Sequence, residues 1–258
     1  MSAPLVALVT DFGRDDSYVA EMHLAVVRAV PSARVIDVTH DLAPFDVAGA
    51  ALVVERAMRE LPACAALVVV VDPGVGTRRA RLAASVDGRW CVGPDNGVLP
   101  IREPEAAAVW RISRIGPREG VTTFDGREVF APAAALLAAG ADPRLLGPRH
   151  ARAARWAMPD DASFETVGAL RYARGVVIAR DRYGNAVTSV RLPAGVDAAR
   201  AVVVEPDAFA GPLRTGYGAV ARGERVALVG SSGRVELAVC QGGTALVAGE
   251  GVVVRCEA

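Results

Sequence analysis

The 258-residue sequence contains no lysine, and all 29 of its basic residues are arginine. That absence excludes Schiff-base catalysis, covalently held pyridoxal phosphate and a Walker-type phosphate loop, each of which needs a lysine amine. Cysteine is scarce too. Cys64, Cys91, Cys240 and Cys256 lie far apart, without the CxxC or Cys/His spacing of zinc sites, so buried, reduced thiols are expected and no metal. Neither sign of charge dominates, because 29 acidic residues balance the arginines without forming a basic stripe. Nucleic acid is therefore not an expected partner. No apolar run reaches the roughly 18–20 residues that span a bilayer, and Met1-Ser2-Ala3-Pro4-Leu5 has no basic n-region, so no membrane association and a cytoplasmic location are expected.

What is present is 52% hydrophobic residues in a patterned order, enough for an ordered globular fold that buries roughly 75% of the unfolded surface. The first half alternates short apolar runs with helix-period segments, the pattern of a mainly parallel sheet with flanking helices. Strands are expected at Pro4 to Thr10, Arg34 to Thr39, Ala66 to Val71, Leu82 to Val86, Trp90 to Val92 and Ala107 to Ile112. Helices are expected after Asp15, Asp16 or Ser17, from Asp46 to Leu61 and from Arg127 to Ala139, the last stopped by Gly140. A connection follows from Gly140 to about Ser163. Beyond it come only short β-type runs between Gly and Asn turns, which predict a small antiparallel barrel. The expected organisation is an N-terminal α/β domain over 1–155 and a C-terminal β-barrel domain over 166–258.

In an open α/β sheet ligands bind outside the carboxyl ends of the strands. Here those ends carry acids: Thr10-Asp11-Phe12-Gly13, Thr39-His40-Asp41 and Asp72 through Arg79. Asp41 reads best as a turn cap. The glycines of Asp72 to Gly76 suggest an anion cradle, but the leading acid argues instead for a turn that aims Asp72 and a following arginine into one pocket. A surface ion pair is the competing reading. Asp181-Arg182-Tyr183-Gly184-Asn185, Gly230-Ser231-Ser232-Gly233 and Asp95-Asn96-Gly97 are, taken singly, hairpin turns as readily as site segments. The residues thus point to a polar small-ligand pocket near the domain boundary and leave the ligand open.

Taken in order, Thr10 to Gly13 with Asp16-Ser17-Tyr18, Ala43-Pro44-Phe45-Asp46, Asp72 to Arg79, Gly93 to Gly97, Phe124 to Pro132, Asp181 to Asn185 and Ser231 to Val239 resemble one family across nearly the whole chain. It is that of the S-adenosyl-L-methionine hydroxide adenosyltransferases, which is related to fluorinase and chlorinase. The resemblance implies hydrolysis of S-adenosyl-L-methionine to adenosine and methionine, without cofactor or metal. It also implies a homotrimer whose sites lie between one subunit's α/β domain and the next subunit's barrel. It places Asp11 on the ribose hydroxyls, with Asp16, Ser17 and Gly126 also at the substrate, and makes Phe45 and Phe124 the walls of the nucleoside pocket. From the barrel side it brings Asp181, Tyr183, Asn185, Ser231, Glu236 and the backbone of Val239. Asp72 and Arg79 match two members of the family's catalytic triad. The third is a histidine in a Phe-His-Gly-Arg-Asp segment, where this sequence has Phe124-Asp125-Gly126-Arg127-Glu128. With Asp125 as the third catalytic residue the reading is a hydrolase; the departure also admits a non-catalytic binder of the sulfonium or of adenosine. A halogenase is the remaining alternative.

Overall fold

The computed structural model describes residues 3–116, 122–158 and 162–257. It divides into two compact units, Met1–Met158 and Pro159–Ala258. Residues 159–161 of the expected connection lie outside the described residues.

The first unit runs β1 (Leu5–Thr10), α1 (Tyr18–Ala29), β2 (Arg34–Thr39), α2 (Val47–Glu60), β3 (Ala66–Val70), β4 (Arg81–Val86), β5 (Arg89–Pro94), β6 (Ala108–Arg111) and α3 (Ala131–Ala138). Its six strands are ordered β2-β1-β3-β5-β4-β6. The first four are mutually parallel, and β4 is antiparallel to both neighbours. Alternation splits β1 between two cores: Val6 and Leu8 face α1 and α3 with Met22, Phe130 and Leu137, whereas Ala7 and Val9 face α2 with Val54 and Met58. Burial on both faces explains why β1 and β3 read as unbroken apolar runs. Helix α2 begins where Asp46 accepts a hydrogen bond from the Gly49 N–H at 2.8 Å. Ser17 occupies the N-cap position of α1 but makes no side-chain capping bond.

The expected helix from Arg127 opens differently. Gly126–Phe130 form a π-helical turn before α3 begins, and α3 ends at Ala138, with Gly140 in the left-handed region at φ 88°. Single π turns widen the helix at the cost of regular bonding and recur at functional sites.

The second unit contains β7 (Ser163–Val167), β8 (Leu170–Arg180), β9 (Ala186–Thr188), β10 (Val202–Glu205), β11 (Gly211–Pro212), β12 (Arg225–Val229), β13 (Val235–Val239) and β14 (Gly251–Glu257). The antiparallel order β11-β10-β14-β8-β9-β13-β12 nearly closes, because the Arg214 N–H just past β11 donates to the Ala227 carbonyl of β12 at 2.8 Å. Ala173, Val177, Val203, Leu237 and Val254 fill the interior. Among the described residues no helix is long and apolar enough to cross a membrane.

Candidate active site

The carboxyl ends of β1 and β3 open onto a cavity of about 290 Å³ lined by Asp11, Phe12, Tyr18, Pro44, Phe45, Val70, Asp72, Val75, Thr123, Phe124, Asp125 and Gly126. Six of the residues expected at a site from sequence therefore share one wall. A larger depression of about 710 Å³ on the α2 side, which includes Glu55 and Trp156, collects none of them.

Asp72 follows β3 and is buried. Its turn is held by Val75 N–H donating to the Asp72 carbonyl at 3.3 Å and by Thr77 Oγ1 donating to the Gly74 carbonyl at 2.7 Å. Gly74 lets Arg79 approach closely, since a Cβ there would stand 3.2 Å from Arg79 Cγ. The turn brings Arg79 back onto Asp72 through Nε at 3.0 Å and a second, shorter bond from Nη2 to Oδ2. The Asn96 side-chain amide, 2.9 Å from the Val71 carbonyl, fixes the backbone beside Asp72. This gives the Asp95-Asn96-Gly97 segment a positioning role outside the cavity.

Arg79 also donates to Asp125, which stands at the N-cap of the π turn. The Asp125 side chain is 2% exposed and Arg79 10% exposed, so one buried guanidinium bridges two buried carboxylates. Burial works against the Arg79 charge, but hydrogen bonds and attraction from Asp72, then Asp125, outweigh it and hold its pKa above the ordinary guanidinium value. A second arginine, Arg81, which the sequence reading missed, meets Asp125 with Nε at 3.1 Å from Oδ2 and Nη2 at 3.0 Å from Oδ1. The latter approach is too poorly aligned for a hydrogen bond, and Asp125 Oδ1 is a buried acceptor with no hydrogen-bond partner among the described residues.

The two arginines balance the two acids, leaving Asp11 as a cavity carboxylate with no ion-pair partner among the described residues. Its Oδ2 accepts from the Phe45 N–H at 2.8 Å. The Asp11 turn is clamped from below by buried His40, whose carbonyl accepts from Gly13 N–H at 2.8 Å and whose Nδ1 shares a 2.8 Å hydrogen bond with Thr10 Oγ1. Phe45 is 67% exposed and sits at φ 67°. A bulky residue in that region stores roughly 1–3 kcal/mol and is held there by its surroundings, a pattern that clusters at ligand sites. Phe12, Tyr18 and Phe124 pack edge to face with centroids 5.3–5.8 Å apart and form the apolar floor. A Cβ on Gly126 would lie 3.1 Å from the Phe124 ring and 3.2 Å from Met22 Sδ. Gly126→Ala is expected to displace that floor and destabilise the unit by about 1–3 kcal/mol, measured by chemical denaturation; unchanged stability would mean the trio yields freely.

Asp16 and Ser17 stay at the start of α1. The Ser17 N–H donates to Asp16 Oδ1 at 2.6 Å, Ser17 Oγ donates to Glu21 at 2.6 Å, and Asp16 lines a separate cleft with His23 and His40. Asp41 pairs with Arg14 at 3.2 Å, both well exposed, in keeping with a turn residue. Arg127 pairs with Glu128 and Glu21 rather than with a cavity acid.

In the barrel unit, Asp181, Tyr183, Asn185, Tyr217, Val239, Gln241, Gly242 and Gly243 line another cavity, of about 690 Å³. The Asp181 to Asn185 segment is a hairpin turn as well as a wall: Asp181 Oδ1 accepts from the Tyr183 and Asn185 N–H groups, each at 2.9 Å. Glu236 is buried and reached through Tyr217, whose hydroxyl donates to it at 2.6 Å. Ser231 is exposed on the β12–β13 hairpin, and the Val239 carbonyl accepts from Gly242 N–H at 3.0 Å. Among the described residues no group of three or more His, Cys, Asp or Glu is arranged to hold a metal.

Comparison with known proteins gives a consistent answer. Residues 6–147 match the model of the SAM hydroxide adenosyltransferase N-terminal domain, and residues 175–251 that of the C-terminal domain. The chain is 37% identical to an (R)-S-adenosyl-L-methionine hydrolase of Thermus thermophilus over 97% of its own length and 98% of the relative's. It is 43% identical to one of Salinispora arenicola over 57% of this chain and 58% of that one. A fluorinase of Actinoplanes is more distant, 26% identical over 53% of this chain and 55% of its own. Among solved structures, an uncharacterised conserved protein of Thermotoga maritima superposes with TM-score 0.83 at 29% identity, covering 96% of this chain and 99% of that chain.

Proposed function

The chain belongs to the SAM hydroxide adenosyltransferase family, and from that premise we infer that it hydrolyses S-adenosyl-L-methionine to adenosine and L-methionine. Water attacks the ribose 5′ carbon in line with the sulfonium. The C5′–O bond forms as the C5′–S bond breaks, the electron pair passes to sulfur, and methionine leaves as a neutral thioether. No acid is needed for the leaving group and no cofactor for the chemistry. What the reaction needs is an aligned, desolvated water with an acceptor for its proton.

The observation that carries this reading is the buried Asp72–Arg79–Asp125 bridge, whose two acids belong to residues that line the cavity while Arg79 joins them from outside its lining. Asp125 takes the place of the family's histidine as the group that orients the water and receives its proton, with Asp72 and Arg79 completing the catalytic set. Positioning of this kind is worth roughly 7–11 kcal/mol of barrier. Asp11 accepts the ribose hydroxyls, Phe45 and Phe124 flank the nucleoside, and the negative charge of Asp11 suits a cationic substrate. Asp181, Tyr183, Asn185, Ser231, Glu236 and Val239 hold the other end of the substrate from a neighbouring subunit's barrel in a homotrimer. The relatives' names specify the (R) epimer, and we assign this chain the same one. We place the reaction in the cytoplasm, where four unpaired cysteines, of which Cys91 and Cys256 are buried as expected while Cys64 and Cys240 are not, suit a reducing compartment.

Halogenation is disfavoured for a reason the sequence alone did not supply. Arg79 and Arg81 balance the charges of Asp72 and Asp125, so bare repulsion of a halide is smaller than two free carboxylates would give. The stronger discriminator is hydrogen bonding. Water has protons to donate to a wall built with Asp11, Asp72 and Asp125, whereas a halide has none. Added chloride or fluoride is therefore expected to yield no 5′-halonucleoside by liquid chromatography with mass detection; its appearance would reassign the nucleophile.

Phe45 gives an independent test of the nucleoside wall. Phe45→Gly is expected to leave thermal stability unchanged or raise it by up to about 1 kcal/mol, by relieving the left-handed backbone. Adenosine should bind about tenfold or more weakly by calorimetry, since stacking a base on an aromatic ring is worth about 1–3 kcal/mol. Unchanged affinity would remove Phe45 from the wall.

A further inference from the structure

We propose that Arg81 is a positioning residue of the hydrolytic site, which with Arg79 holds the Asp125 carboxylate in one orientation. This role rests on the hydrolase reading above.

A carboxylate is an unselective acceptor. It carries two equivalent oxygens with about four lone-pair sites, and its terminal torsion is broad and twofold, so the oxygens can exchange places. At Asp125 that freedom is removed. Oδ2 receives two N–H donors, Arg79 Nη2 and Arg81 Nε at 3.1 Å, which fill its lone pairs. Arg81 Nη2 stands 3.0 Å from Oδ1, so the guanidinium spans the carboxylate edge and opposes rotation about the torsion. Oδ1 is itself buried beneath this approach, so the two arginines fix the acid at both of its oxygens.

Arg81 is well placed for this task. It is the first residue of β4, two positions beyond Arg79, and both side chains reach the same oxygen of Asp125. Its carbonyl accepts from the Ile112 N–H at 2.7 Å, and its backbone pairs with Pro94 of β5, which anchors the side chain on a sheet instead of a loop. With its side chain 24% exposed, Arg81 reaches the buried acid from the edge of the site. Without it, Oδ2 would regain an open lone pair and the carboxylate could turn. The acid would then be held in more than one orientation, a loss in alignment and not in substrate affinity.

The test is a double-mutant cycle on the full-length protein with S-adenosyl-L-methionine, reading adenosine by liquid chromatography. Arg81→Met is expected to lower kcat by about 10–100-fold with KM within about threefold, the mark of an interaction used in the transition state. Arg81→Lys keeps the charge without the planar fork and should recover only part of that loss, leaving kcat about tenfold low. In an Asp125→Ala background, Arg81→Met should change the residual single-turnover rate by less than about threefold, because Arg81 acts through Asp125. Should Arg81→Met fail to fold, the Lys variant carries the test: wild-type kcat there would overturn the proposal. So would wild-type kcat in Arg81→Met, or equal losses with and without Asp125. Absence of turnover by the wild-type protein would instead overturn the hydrolase reading, and with it any positioning role for Arg81.

Discussion

Asp72→Ala and Asp125→Ala should each lower kcat for adenosine release by about 10²–10⁴-fold, the range for removing a positioned acid–base group. KM should move little, since neither side chain is assigned to hold the nucleoside or methionine end of the substrate. The isosteric Asp125→Asn variant separates chemistry from packing. It keeps the volume at a side chain 2% exposed but replaces one acceptor oxygen with a donor, and it should be as slow as the alanine variant. The two losses should not add in full, because Arg79 joins both acids in one unit. Steady-state kinetics on the two single variants and their combination checks this. Wild-type turnover in both singles would remove the pair from the mechanism, whatever the family membership.

Arg79→Met should produce the largest loss of stability of any single substitution at the site. It leaves Asp72 and Asp125, with side chains 4% and 2% exposed, facing one another without the cation between them. Breaking a buried ion pair by removing one partner costs about 3–5 kcal/mol. For a chain of this size that corresponds to a fall in Tm on the order of 10 °C. Arg81 still supports Asp125, so Asp72 becomes the more exposed liability, and adding Asp72→Asn to Arg79→Met should restore part of the loss. The direction of the Arg79 pKa sets the pH window. Its folded value is raised, so its contribution is complete at every pH below the ordinary guanidinium value and is lost only as pH rises through the folded one. Melts across the neutral range should therefore show the same deficit. A Tm within about 2 °C of wild type would show that the bridge is not structurally important.

Much of this architecture is legible in the sequence because it rests on local chemistry. Leu5 to Thr10 and Ala66 to Val70 are apolar without alternation because both faces are covered, and this identified the central strands and their carboxyl ends. Asp11 and Asp72 then followed as rim residues, and the Asp72 turn led to an arginine that folds back onto it, although Arg79 stays outside the cavity lining that the turn was expected to aim it into. Other features depend on contacts that no local pattern encodes. Asp125 lies 46 residues from Arg79, and only tertiary packing joins them. The segment resemblance supplied that link where spacing could not. Arg81 stands just before the strand read from Leu82, and no local pattern set it apart from the neighbouring arginines. The π turn at Gly126 resembled a regular helix start because a one-residue widening leaves the apolar period nearly intact. Strand β7 is exposed along its length and β11 has only two residues, so neither carried a buried alternation to read. The Asp181 to Asn185 segment shows that turn and cavity wall are not exclusive readings: the hydrogen bonds that close the hairpin also hold Asn185 buried at the cavity's edge.

The most direct test of the account is to incubate the purified protein with (R)-S-adenosyl-L-methionine in chloride-free buffer made with heavy-oxygen water, and to follow the products by liquid chromatography with mass detection. Adenosine carrying one heavy oxygen at the 5′ position, formed in equal amount with methionine, is the predicted result. Intact substrate beside a clear binding signal would contradict it and mark the chain as a binder of the sulfonium that does not turn it over.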